Sequence, residues 1–169
     1  MSTTSDRSPM DRTPTERHAS GRSPVQIVAM IYGVVFLLVG IAGFIPGLTT
    51  NYETMQFAGH HSEAMLMGLF QVSILHNVVH LLYGIAGLAL ARTGTMARHY
   101  LLWGGIVYLL LWLYGLFIGH DSPANFVPFN NADNWLHLGL GVTMVALSFL
   151  PRRKHATVET TAERHDRQR

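Results

Sequence analysis

The stretch ILHNVVHLLYG, Ile74 to Gly84, sets two histidines and an asparagine into an otherwise apolar run. His76 and His80 are one helical turn apart, so a helix places both imidazoles on one face, where they could share a metal ion or pass a proton. The same letters return later in the chain: NVVHLLYG from Asn77 and NWLHLGLG from Asn134 share Asn-x-x-His-Leu-x-x-Gly. That pairs His80 with His137 and Asn77 with Asn134, and leaves His76 as an extra member on one side. Two facing histidines are also the ligand set of a bis-histidine haem, with Gly84 and Gly141 one turn further along to admit the macrocycle. The candidate site is therefore His76, Asn77, His80, Asn134 and His137, with His76, His80 and His137 as the candidate metal ligands. Against a metal or haem, a lone H-x-x-x-H has little specificity and no carboxylate in the apolar runs completes a di-metal site. With no cysteine there is neither a thiolate site nor a Cys-x-x-Cys-His haem attachment.

The elements that must hold these residues follow from composition. Hydrophobic residues make up 49% of the 169 and charged residues 13%, about half the usual share, and the charges crowd into the ends and short connectors. That is the distribution of an integral membrane protein of one domain. Four apolar segments, approximately 25–45, 69–91, 100–119 and 135–150, read as membrane-spanning helices. The fourth is short unless it begins in the NNADN that precedes it. A pI near 9.2 does not indicate a nucleic-acid partner, because the basic residues flank apolar runs instead of interleaving with aromatics.

Of the 12 Lys and Arg residues, four precede the first segment, two (Arg92 and Arg98) lie between the second and third, and six follow the fourth. The positive-inside rule then puts both termini in the cytoplasm and residues 46–68 and 120–134 on the outer face. Tyr52, Tyr100, Trp103, Trp112 and Trp135 are candidates for interfacial anchors or for packing inside the bundle. Arg152, Arg153 and Lys154 read as a stop-transfer anchor, with recognition of anionic lipid as the alternative. Residues 1–24 repeat DRSP, DRTP, ERHA and GRSP on a five-residue beat and are expected to be a disordered cytoplasmic tail; 151–169 form a basic cytoplasmic tail. Ser8, Thr13 and Ser23 each precede a proline, so a docking or phosphorylation segment is the alternative for the N-terminal tail. It is not a secretory signal, since the apolar run starts late, continues long and lacks a small-residue cleavage site.

The expected fold is thus all-α: a four-helix membrane bundle, N-in and C-in, made of two parallel hairpin repeats. Gly33, Gly43 and Gly47 recur as Gly105, Gly115 and Gly119 at the same spacings, as a pseudo-two-fold axis along the membrane normal would require. Chance likeness of Gly- and Leu-rich spans competes with that reading, since VVFLLVGIAG from Val34 also matches VVHLLYGIAG from Val78. Counting outward at about 1.5 Å per residue, His80 stands about 18 Å from Arg92, His76 about 24 Å, and His137 about 22 Å from Arg152. All three fall between the mid-membrane and the outer leaflet.

Ser73, His76, Asn77, His80, Gly84 and Gly87 make one helical face; Asn130, Asn134, His137, Gly141 and Ser148 make a looser one. Polar groups in hydrocarbon cost several kcal/mol each, so both faces should turn inward. The first reading is polar glue, hydrogen bonds across the helix interface worth about 0.6 to 2 kcal/mol each. Metal or haem binding and a water-filled or proton-conducting path are the alternatives. The segment Asp121 to His137 is too apolar for a solvent loop; Phe126, Val127 and Phe129 should be buried. It is expected to fold as an outer lid bearing Asp121, Asn125, Asn130, Asn131 and Asp133, with an interfacial loop as the alternative. His60, His61, Glu63, His120 and Asp121 are expected to be solvated rather than a zinc site, since adjacent histidines point in different directions in regular structure.

LFQVSILHNVVHLLYGIAGL from Leu69 and DSPANFVPFNNADNWLHLGLG from Asp121 resemble the signature stretches of a bacterial four-span membrane family, domain-of-unknown-function family 4383, over about Val25 to Leu150. The resemblance implies a compact integral membrane domain and carries over no activity, cofactor or catalytic residue. The expected role is a non-enzymatic structural or interaction component of the cytoplasmic membrane. Its partners would be the lipid bilayer and a second copy or another membrane protein.

Overall fold

The computed structural model describes residues 21–119, 122, 124–128 and 130–152, and these form four α-helices and one small sheet. Helix α1 is Pro24–Ala42, α2 Ile74–Leu90, α3 Gly94–Phe117 and α4 Asn131–Leu147. Each start has a local cause. Pro24 occupies the first turn of α1, where its missing N–H costs nothing, and the Gln26 carboxamide oxygen accepts from the Ser23 N–H (3.0 Å) and hydroxyl (2.9 Å). Ser23 is therefore a buried helix cap and not a modifiable tail residue; Ser8 and Thr13 lie outside the described residues. Ser73 and Thr93 cap α2 and α3 by accepting from the N–H groups of His76 and Met96, each at 3.2 Å. The fourth helix does begin inside NNADN, where Asn130 and Asp133 form a reciprocal capping box.

Two of the four, α1 and α3, are long and apolar enough to cross a membrane. Helix α2, at 17 residues, rises only about 25 Å. It starts five residues later than the apolar run beginning at Leu69, because the residues just before it are used in a sheet. Strands β1 (Thr49–Thr50), β2 (Met65–Leu66) and β3 (Phe70–Gln71) pair antiparallel in that order. This corrects the all-α expectation for the first interhelical segment. The turn between β2 and β3 runs through Met67 (φ 53°) and Gly68 (φ 68°), a left-handed path that the glycine makes accessible. Ala64, Leu66 and Val72 form a small core of their own beneath Val39, Ala42, Met55 and Phe70.

The most extensive helix contacts are α1 on α2 and α3 on α4. Glycines make both seams. A Cβ on Gly33 would stand 3.0 Å from the Gly84 carbonyl oxygen, and one on Gly105 would stand 2.9 Å from that of Gly141. A Cβ on Gly84 would meet Leu37 Cγ at 2.6 Å and one on Gly141 would meet Leu109 Cγ at 2.7 Å. Gly43 lies against the amide of Asn77, and Gly115 against that of Asn134. The matched glycines thus pack on matched partners in both hairpins, whereas Gly47 and Gly119 have no atom of the described residues near a would-be Cβ. Between the hairpins the packing is aromatic, with Phe36, Tyr83, Tyr100 and Tyr108 in ring contact and a 2.7 Å hydrogen bond between the hydroxyls of Tyr32 and Thr143.

Candidate functional site

The structure brings His76, His80 and His137 onto the same cavities, whereas Asn77 and Asn134 each pack against a glycine of their own hairpin, Gly43 and Gly115. His76, Asn77, Asn134 and His137 are buried, and His80 is half-buried one turn below His76. The His76 and His80 rings meet edge-on, centroids 4.4 Å apart. His80 stacks on Phe36 (5.5 Å), Phe36 on Tyr108 (5.6 Å, planes within 6°), and Tyr108 contacts His137 (5.3 Å). Phe36 and Tyr108 stand three residues after Gly33 and Gly105, so they extend the repeat: each hairpin supplies one ring to one histidine, and the two rings stack on each other. Sequence reasoning missed this pair. The signal was there in their equal distance from matched glycines.

Two cavities border the histidines. One, about 110 Å³, is lined by His76, His80, Asp133 and His137 together with Val39 and Phe70. The other, about 200 Å³, is lined by His76, His80, Tyr108, His137, Phe126 and Val127. Both fall below the roughly 300 Å³ at which cofactor pockets begin, and the spaces beside Gly84 and Gly141 hold Leu37 and Leu109. Those glycines admit a neighbouring helix. Among the described residues no three His, Asp or Glu side chains converge to hold a metal ion. The polar-glue expectation also changes. Among the described residues neither Nδ2 nor Oδ1 of Asn77 meets a hydrogen-bond partner, and the same holds for Nδ1 of His76 and of His80. Asn77 instead fits a notch made by Gly43.

Above the histidines the two interhelical segments are stitched together. The Gly59 N–H donates to the Phe126 carbonyl (2.6 Å), Asn130 Nδ2 to the Leu69 carbonyl (2.7 Å), and the Gln71 N–H to Asp133 Oδ2 (2.9 Å). The hydroxyl of Tyr114 donates to the Ala124 carbonyl. Of the expected lid residues, Asn125 and Asp133 are buried, Asn130 is half-buried and Asn131 is exposed; Asp121 lies outside the described residues. The Phe126 ring is exposed, contrary to expectation, and turns its edge toward Tyr114 (6.2 Å). Phe129 and His120 lie outside the described residues. His60 and His61 do not diverge: a bend brings their rings to 3.9 Å.

Asp133 is the residue whose role the sequence undersold. Its Oδ2 accepts from the N–H groups of Gln71 (2.9 Å) and Asn130 (3.0 Å), joining the start of α4 to β3. Desolvation by burial raises its carboxyl from 3.8 to about 7, outweighing those two bonds, which favour the charged form. Trp103 and Trp135 are exposed as anchors would be, whereas Tyr100 is buried in the aromatic seam.

A helical protein with two helices apolar enough to cross a membrane, and with its polar side chains gathered inside, is the class these features define. The chain belongs to the family described as "Domain of unknown function (DUF4383)", whose profile matches residues 26–150. No curated protein and no solved structure matches it.

Proposed function

We propose that this chain is a four-pass protein of the cytoplasmic membrane, both termini inside, built from two hairpin repeats and acting as a non-enzymatic membrane component. One observation carries the reading: polarity is inverted relative to a water-soluble fold. Leu38, Leu82, Trp103, Leu110 and Phe117 are 60% exposed or more, while Asn77 is fully buried and His137 only 5% exposed. A soluble chain would not leave such a band to water, and lipid is its natural solvent. The absence of native cysteine makes the test direct. Glu53→Cys should react with a membrane-impermeant maleimide in intact cells, and Thr95→Cys only after permeabilisation. Equal labelling of both before permeabilisation would rule out the orientation.

A second reading, passage of protons or small polar solutes, is favoured by the cavity that Asp133 shares with the three histidines. The rings of Tyr108, Tyr83 and Tyr100 continue from His137 toward the start of α3, at centroid separations of 5.3, 5.9 and 5.0 Å. Buried groups able to exchange protons in such a row are what a path through a bundle requires. Proton leak into liposomes should fall several-fold in His80→Phe relative to wild type. The same leak in both would remove this reading and leave the first untouched.

A further inference from the structure

At the end of the helices opposite the sheet lies a cavity of about 720 Å³ whose lining includes Arg92, Arg98 and Arg152, with Thr95 and Gln26, and no carboxylate among the described residues. The three arginines come from the α2–α3 connector, the body of α3 and the chain just beyond α4, so only folding assembles them. Each is held. Gln26 Nε2 donates to the carbonyls of Ala91 (3.0 Å) and Arg92 (2.9 Å), which fixes the connector from α1. The stem of Arg152 lies against Gly94, where a Cβ would come within 3.2 Å of Arg152 Cβ. The Arg98 guanidinium sits 5.4 Å above the Phe149 ring. Three like charges gathered without a counter-charge among the described lining residues repel one another, and an oxyanion reverses that repulsion; guanidinium forks match phosphate oxygens in pairs.

We propose that this cavity binds a phosphate group, presented in the membrane as the headgroup of an anionic phospholipid. The wall argues for the lipid carrier. Phe149 is 65% exposed and Leu150 lies beside it, giving an apolar flank on which the first acyl carbons rest while the phosphate meets the arginines. The site differs from a simple stop-transfer anchor because Arg92 and Arg98 precede the last helix and face the same space. The lipid carrier, though not the phosphate chemistry, rests on the four-pass reading above.

The test uses the full chain, purified in a neutral detergent and moved into nanodiscs of phosphatidylcholine with graded phosphatidylglycerol, lipid retention being read by native mass spectrometry. A parallel arm adds inorganic phosphate alone to the detergent-solubilised protein and reads the melting temperature. Retention of phosphatidylglycerol over phosphatidylcholine should drop about tenfold or more in Arg98→Gln/Arg152→Gln and less than about twofold in the charge-matched Arg12→Gln/Arg22→Gln. Thr95→Glu gives a second variant: an acid at an exposed position in the first turn of α3 suits the helix yet repels phosphate, so its loss of binding cannot be ascribed to misfolding. Stabilisation by inorganic phosphate, lost in both cavity variants, supports the same site with a soluble carrier. Equal loss in the cavity and control pairs, or no preference in either arm, overturns the proposal. A chain that washes off membranes in carbonate would instead sink the four-pass reading, with the phosphate arm still interpretable.

Discussion

Gly84→Ala should destabilise the protein by about 1–3 kcal/mol, although alanine is ordinarily the better helix former by up to about 1 kcal/mol. The sign reverses because the added Cβ would lie 2.7 Å from both the Gly33 carbonyl oxygen and the Leu37 backbone nitrogen, and backbone cannot step aside as a side-chain tip can. Gly141→Ala repeats the insult in the other hairpin. There the nearest atoms belong to the Leu109 side chain (2.7 Å) and the Gly105 carbonyl follows at 3.0 Å, so its loss should be smaller than that of Gly84→Ala. Gly139 is the internal control: it lies in α4 with no atom of the described residues within 4 Å of a would-be Cβ, and Gly139→Ala should stabilise by about 0.5–1 kcal/mol. Thermal unfolding in one detergent, with the three variants side by side, measures the order. Uniform stabilisation across all three would mean that the seams are not glycine-tight.

Removing the carboxylate that ties α4 to the sheet should be as costly. In Asp133→Ala the N–H groups of Gln71 and Asn130 lose their acceptor in a half-buried setting, at about 1–3 kcal/mol for the two together. Asp133→Asn retains an acceptor oxygen and should keep most of that stability. Its pH behaviour should separate it from wild type. The native carboxyl is raised from 3.8 to about 7 chiefly by desolvation, so the folded state holds its proton more tightly than the unfolded state. The stabilisation this confers is complete below about pH 4 and is lost as pH rises through about 7, at up to about 1.4 kcal/mol per unit between those limits. Wild type should therefore melt progressively lower between pH 4.5 and 7.5, and Asp133→Asn should lose that slope. An identical slope in the variant would assign the dependence to other groups.

The helices and the histidine pairing were legible because both rest on signals that survive in any context. Apolar runs of membrane length, Asn or Ser before a helix, and a polar motif repeated where composition does not demand it all belong to that kind. The hidden parts rest on contacts between distant segments. Strands β1 to β3 are two residues each, too short for alternation to register, and their hydrogen bonds close only when residues 49–71 fold back on themselves. Tyr100 reads as an interfacial anchor by letter, yet it packs on Tyr83 because α3 begins at Gly94, earlier than its apolar run suggests. The glycines beside the histidines suggested room for a cofactor. Distance along one helix cannot reveal that Leu37 or Leu109 of another already fills it.

The two kinds of helix seam have a mechanical consequence. Within each hairpin, backbone rests on backbone through Gly33 and Gly84 or Gly105 and Gly141, a joint with almost no slack. Between the helices of different hairpins the contact is made by rings and by one hydroxyl pair, which can tilt and slide at little cost, while at the sheet end the hydrogen bonds of Gly59, Asn130 and Gln71 to Phe126, Leu69 and Asp133 bind the two halves. Deformation should therefore concentrate in the ring-packed part of that joint, between the stitched sheet end and the Arg92–Thr93 connector. The stack of His80, Phe36, Tyr108 and His137 crosses that joint, so any rocking of one half against the other is felt first as a change in how those four rings overlap.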